Sequence, residues 1–162
     1  MGISPEYSRE LRGGEEGAAA ALLDLAFGGQ DESRLVERLR RDGVMAGEMV
    51  LPMQGAIVGY YAVSRMVRPK GWLCLAPVAV HPDMQRRRFG QRMVGMLGEW
   101  ARMSVTPVVV LGQPAFYGRC GFSSEMAARL VSPYPVANTL VAGVTGAPPV
   151  ETLVYPKAFG GL

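Results

Sequence analysis

The stretch Val78-Ala79-Val80-His81-Pro82-Asp83-Met84-Gln85-Arg86-Arg87-Arg88-Phe89-Gly90-Gln91 constrains this chain more than any other. It closes a nearly continuous apolar run from Trp72 to Val80, the pattern of a strand covered on both faces and so of a sheet with a layer on each side. His81-Pro82-Asp83 reads as a turn. From Phe89 the period becomes helical: Phe89, Met93, Met96, Leu97 and Trp100 form one stripe, with Gln91, Arg92, Glu99 and Arg102 largely opposite. Strand, basic turn and helix start, in that order, favour an anion. The first turn of a helix presents unpaired backbone N–H groups and the positive end of the helix dipole. Gly90 lets the backbone come close, and Arg86, Arg87 and Arg88 add charge suited to a diphosphate or an outlying phosphate. Taken alone, an arginine triplet is more often a solvated face beside an ordinary helix.

The elements around this segment can be read in outline. Gly14 to Phe27 is an Ala- and Leu-rich helix stopped by Gly28-Gly29, and Asp31, Glu32 and Ser33 open a second, shorter one through Leu39. Val44 to Val63 reads as two strands around a turn at Gln54-Gly55, Val108 to Leu111 as a strand, and Ala115 to Cys120 as a short helix closed by Gly121. Met126 to Val131 and Thr152 to Tyr155 are expected as late strands, separated by a Gly- and Pro-containing stretch from Ser132 to Pro149. With a possible early strand between Ile3 and Leu11, the order is ααβββαβαββ, a mixed α/β layer fold.

At 162 residues, 49% hydrophobic and 19% charged, the chain suits one well-filled core, and a single domain over 1–162 is expected. The net charge of +3 favours anionic ligands mildly and falls short of the basic tracts of a nucleic-acid binder. No apolar run reaches membrane-spanning length and the first residues lack a secretory h-region, so no membrane partner and a cytoplasmic location are expected. Cys74, Cys120 and the single His81 do not supply four zinc ligands, so no metal is expected.

The segment from Val78 to Gln91 resembles motif A of the GNAT superfamily of N-acetyltransferases, whose signature is Gln or Arg, two residues, Gly, one residue, then Gly or Ala. Gln85 and Gly90 match, and Arg88 stands where the first glycine is usual, so its conformation should suit a residue with a Cβ and its side chain should point away from the phosphates. Gly55-Ala56-Ile57-Val58-Gly59-Tyr60 looks like the "G-x-I-V-G" strand of these enzymes. Val108 to Phe122 is similar to the "V-L-G-D-P-x-Y-Y-x-R-F-G-F" segment of a bacterial subgroup of predicted N-acetyltransferases, with Gln113 for Asp and Cys120 for Phe. The resemblance covers roughly Gly55 to Phe122.

The resemblance implies a central mixed sheet flanked by helices, with splayed strands holding acetyl-CoA. Val78, Ala79 and Val80 would lie along the pantetheine arm, a backbone N–H there polarising the thioester carbonyl. The diphosphate would take Arg86, Arg87, Arg88, Phe89, Gly90 and Gln91. Acetyl would pass directly to a primary amine, of a small molecule or a protein, within a ternary complex. Tyr117 aligns with the tyrosine that in many members protonates the departing thiolate, against a plain packing role between Phe116 and Phe122. Many relatives are dimers. Glu48, Tyr60, Tyr61 and Glu125 are candidate bases, none favoured. His81 reads as a turn residue and Cys120 as an inert thiol. Two rivals stay open: a non-catalytic acyl-CoA-binding module of the same fold, and, far behind, a nucleic-acid binder, which would need interleaved exposed aromatics.

Overall fold

A computed structural model describes residues 7–161. Strands β1 (Arg9–Glu10), β2 (Met45–Met53), β3 (Ala56–Arg65), β4 (Leu73–Val80), β5 (Val108–Leu111) and β6 (Thr139–Ala142) lie side by side in sequence order as one six-stranded sheet. Every neighbouring pair is antiparallel except β4 and β5. Those two run parallel, which requires a long crossover, here helix α3 (Phe89–Ser104). Helices α1 (Glu16–Phe27) and α2 (Asp31–Arg41) precede β2, and two short helices, α4 (Pro114–Gly118) and α5 (Ser124–Ala127), follow β5.

Both faces of the sheet are covered, as the apolar run into β4 implies. Leu22 and Leu23 of α1 and Val36 of α2 pack with Val50, Tyr60, Ala62 and Ala79 on one face. Met93, Val94, Leu97 and Ala101 of α3 pack with Leu51, Val58, Leu75, Val108 and Val110 on the other. Gly28 ends α1 in the left-handed region, φ 72, with its N–H on the Asp24 carbonyl at 2.9 Å. A polar peg joins α2 to the sheet: Glu48 accepts from Arg40 Nη2 at 2.6 Å and from the buried Tyr60 hydroxyl at 2.6 Å.

The structure corrects the sequence reading at several places. The buried face of α3 is Met93, Val94, Leu97, Gly98 and Ala101, whereas Met96 and Trp100 are 49% and 47% exposed. Gly98 decides this rotation, because a Cβ there would sit 2.0 Å from the Cys120 carbonyl oxygen, so the face pressed on the turn after α4 is the one with no side chain. Met126 to Val131 is not a strand: Ser123 caps α5 by accepting the Met126 N–H at 3.0 Å. The strand beside β5 is instead β6, inside the stretch read as a loop. Its four residues are all buried, too short a run for periodicity to reveal between Pro135 and Gly143. Thr152 to Tyr155 makes only single bridges, Thr152 to Val131 and Val154 to Arg68. Among the described residues the early strand is Arg9–Glu10; residues 3–6 of the expected range lie outside them. The short helix after β5 begins and ends slightly earlier than expected, at Pro114–Gly118. No described helix is long and apolar enough to cross a membrane.

Candidate functional site

The sheet opens between β4 and β5. Leu73, Cys74 and Leu75 pair with Val108, Val109 and Val110, and the ladder stops there. Pro77 has no N–H to continue it. The pairing of β4 with β3 shifts register between Tyr61 and Val63, so the residues facing α3 change from Leu73 and Leu75 to Val78 and Val80. The His81 N–H reaches the Val58 carbonyl on β3 at 2.8 Å. Since N–H groups alternate along a strand, that of Ala79 also faces β3 while those of Val78 and Val80 face the gap. Ala79, expected along the pantetheine arm, therefore turns its N–H toward β3 and its side chain into the cluster under α1. Gln85 braces the following turn by donating from Nε2 to the Val80 carbonyl at 3.1 Å.

The gap leads to the start of α3. Arg86 and Arg88 both have left-handed backbones, φ 66 and φ 64. The glycine-like conformation is thus kept with arginine in place, contrary to the expectation that Arg88 would avoid it, at a cost of about 1 kcal/mol. Arg88 is the helix N-cap, and its side chain caps nothing. A left-handed residue followed by helical ones turns successive N–H groups to one side, and those of the first turn have no acceptor within the helix. Gly90 seats this helix end on β4: a Cβ there would lie 3.2 Å from Val80 Cγ2. A cavity of about 1030 Å³ results, lined by Val78, Val80, Arg86, Arg88, Phe89, Gly90, Gln91, Phe116 and Tyr117, among others. Arg88 lines it rather than standing clear of it. Arg87 and Ala79 are not among the lining residues.

A second cavity of about 490 Å³ lies in the opening itself, between Cys74–Val78 of β4, Val109–Leu111 of β5, and Phe27, Glu32 and Leu35 of α1 and α2. Val78 and Tyr117 belong to both cavities. The Tyr117 ring is fixed edge-on against Phe116 and Phe122, with centroids 4.9 and 6.0 Å away. It also lies so close over Gly112 that a Cβ there would be 2.4 Å from Tyr117 Cε2. No hydrogen bond engages its hydroxyl among the described residues, and burial pushes the phenol up to about 12, which keeps it protonated at neutral pH.

None of the candidate bases lines either cavity. Glu48 is engaged by Arg40 and Tyr60, Tyr61 is in the core, and Glu125 is exposed on α5. His81 is a turn residue, its Nδ1 accepting the Asp83 N–H at 3.1 Å. Cys120 is buried, with its thiol raised by burial. Sequence reasoning missed Glu32 and the aromatic wall of Tyr134, Tyr155 and Phe159, which no spacing brings together; Pro77 was the available signal for the opening. The Tyr155 hydroxyl is buried without a well-directed hydrogen bond, and burial pushes its pKa up to about 12, a rise that the nearby Ser132 tempers. Among the described residues, no group of three or more His, Cys, Asp and Glu could hold a metal ion.

An open strand edge leading to a bare, basic helix start has the shape and charge to suit an extended ligand with an anionic end. The family model for the acetyltransferase (GNAT) domain matches residues 46–124. The uncharacterized N-acetyltransferase YhbS of Escherichia coli K12 is 34% identical over 115 residues, 67% of this chain and 67% of its own. The chain belongs to the GNAT acetyltransferase family, and so to the acyltransferases that use acetyl-CoA. Its fold is that of the crystal structure of Escherichia coli YhbS in complex with CoA, TM-score 0.84 at 24% identity, covering 99% of this chain and 94% of that one. A GNAT acetyltransferase from Brucella melitensis in complex with acetyl-CoA gives TM-score 0.78 at 23% identity, over 94% and 97% of the two chains.

Proposed function

We propose that residues 1–162 form one N-acetyltransferase domain that passes the acetyl group of acetyl-CoA directly to a primary amine in a ternary complex. The observation that carries this reading is the meeting of the two cavities at Val78 and Tyr117. One has the charge and free backbone donors for a diphosphate, the other lies beyond the strand opening, and a thioester threaded along β4 would sit where they join. Val78 and Val80 would hold the pantetheine through the N–H groups facing the gap, one of them polarising the thioester carbonyl. The first turn of α3 would hold the diphosphate, with Arg86 and Arg88 beside it and Arg87 at the periphery.

As the amine nitrogen bonds the carbonyl carbon, the carbon–sulfur bond breaks and the thiolate takes the Tyr117 phenolic proton, which solvent restores. The amine gives up its own proton, so the balance is an ammonium and a thioester converted to an amide, a thiol and a proton. The structures of Escherichia coli YhbS with CoA and of the Brucella melitensis protein with acetyl-CoA support this choice of donor. Calorimetry with CoA and dephospho-CoA tests it. Binding of CoA below millimolar concentration is expected, and binding of neither refutes the reading. Equal affinity for the two would remove only the arginines from the 3′-phosphate.

A further inference from the structure

The cavity in the strand opening differs in chemistry from the one at the helix start. Tyr134, Tyr155 and Phe159 form a stacked wall, with centroids 5.0 and 5.9 Å apart and rings edge to face. Phe27 and Leu111, also lining it, are 46% and 43% exposed, so the apolar surface continues outward to solvent. Among the described residues, Glu32, in the first turn of α2, is the only Asp, Glu, Lys, Arg or His that lines this cavity. It is half-buried, and no hydrogen bond or ion pair engages its carboxylate among the described residues. Asp24 and Glu48, by contrast, are engaged: Asp24 accepts from the Ser33 hydroxyl at 2.6 Å, and Glu48 from Arg40 and Tyr60.

We propose that this cavity takes a primary amine with one cationic nitrogen on an aromatic or alkyl body, such as an arylalkylamine, whose ammonium docks at Glu32. The proposal rests on the acetyl-transfer reading and names its acceptor class. A single carboxylate among aromatic rings matches a single cation. Ring faces add attraction for an ammonium, and the apolar body is buried against apolar walls. The cavity volume is in the range of sites for small molecules. A polyamine would bring a second ammonium with no counter-charge, and an aminoglycoside many hydroxyl and ammonium groups with few partners, each costly to desolvate. Glu32, facing the ammonium, is also placed to accept the proton that must leave before the nitrogen attacks, returning it to solvent.

The test uses the whole protein, acetyl-CoA, thiol release as readout, and phenethylamine, butylamine, spermidine, an aminoglycoside and a short peptide as acceptors. Phenethylamine should exceed spermidine in kcat/KM by about 100-fold, the combined effect of burying the ring and of stranding a second charge. Glu32→Gln should raise the KM for phenethylamine at least about 10-fold and leave CoA affinity by calorimetry unchanged. It should also leave unchanged the inhibition constant of 2-phenylethanol, a neutral analogue that fills the same apolar walls. Tyr134→Ala should weaken phenethylamine and 2-phenylethanol together. Efficient turnover of spermidine or the peptide without phenethylamine overturns the proposal, as does a Glu32→Gln variant with unchanged KM or with phenylethanol weakened equally. CoA binding with no turnover of either simple amine overturns the acceptor class alone. Absence of CoA binding overturns the donor reading and this proposal with it.

Discussion

Gly112→Ala should inactivate the protein through Tyr117 without touching either cavity's charge. Gly112 has an ordinary backbone, but its Cβ would lie 2.4 Å from Tyr117 Cε2, 3.0 Å from Cδ2 and 3.4 Å from Cζ. Carbon atoms prefer about 3.5–4.0 Å, so the ring must retreat by roughly 1 Å or tilt, and Phe116 and Phe122 already hem it in. Overpacking of this kind costs about 1–3 kcal/mol of stability. Misplacing a reacting group by about 1 Å costs about 10²-fold in rate. Tyr117→Phe removes only the hydroxyl, which no hydrogen bond engages among the described residues, so stability should be nearly unchanged while kcat falls by about 10²-fold. The double variant closes the cycle. If both single changes act through the same hydroxyl, kcat for Gly112→Ala/Tyr117→Phe should fall no further than for Tyr117→Phe alone, a coupling of about 2.7 kcal/mol. Single-turnover kinetics, thermal melts and CoA calorimetry on all four proteins measure each term. A folded Gly112→Ala protein at the wild-type rate, or losses that multiply in the double variant, would refute the assignment of Tyr117 as the acid.

Glu48→Ala should destabilise by about 2–3 kcal/mol in urea unfolding, because it leaves the buried Tyr60 hydroxyl and the Arg40 guanidinium without their shared acceptor, and CoA affinity should not change. The phenols of Tyr61, Tyr117 and Tyr155 are raised by burial from the ordinary 10 to about 12. Between those values the unfolded chain loses protons that the native one keeps, so stability should be level below about pH 9 and fall as pH rises past 10. Chemical denaturation from pH 7 to 11 checks this, and a protein more stable at pH 11 than at pH 8 would refute it.

How much of this could be read in advance depended on whether a feature was local in sequence. The strand, basic turn and helix start are contiguous, and the turn residues, arginine charge and helical period signal them directly; the structure keeps that order and adds the left-handed backbones of Arg86 and Arg88. Tyr117 was legible by motif, and the reason its ring stays put, Gly112, lies only five positions earlier. The opening between β4 and β5 was legible only by resemblance, since Pro77 acquires its meaning once Val110 is known to be the last partner of Leu75. The wall of Tyr134, Tyr155 and Phe159 was not legible: its rings come from irregular segments without a period, joined by bridges such as Val131 to Thr152. β6 was lost for the same reason, and the α3 stripe was misaligned because Gly98, with no side chain, marks the tightest contact.

The two cavities that meet at Tyr117 are assembled by different routes along the chain. Every residue lining the one at the helix start lies between Val78 and Arg119, so that surface is formed by neighbours in sequence and is set once β4, α3 and α4 have packed. The other is walled by α1 and α2 on one side and by Tyr134, Tyr155 and Phe159 on the other, stretches that meet only through tertiary packing, as where Leu35 and Leu39 contact Ala158. Substitutions in those outer stretches can therefore reshape one cavity while leaving the other intact. Within one sheet, the chain thus has one compartment built from a contiguous stretch and one built from distant stretches.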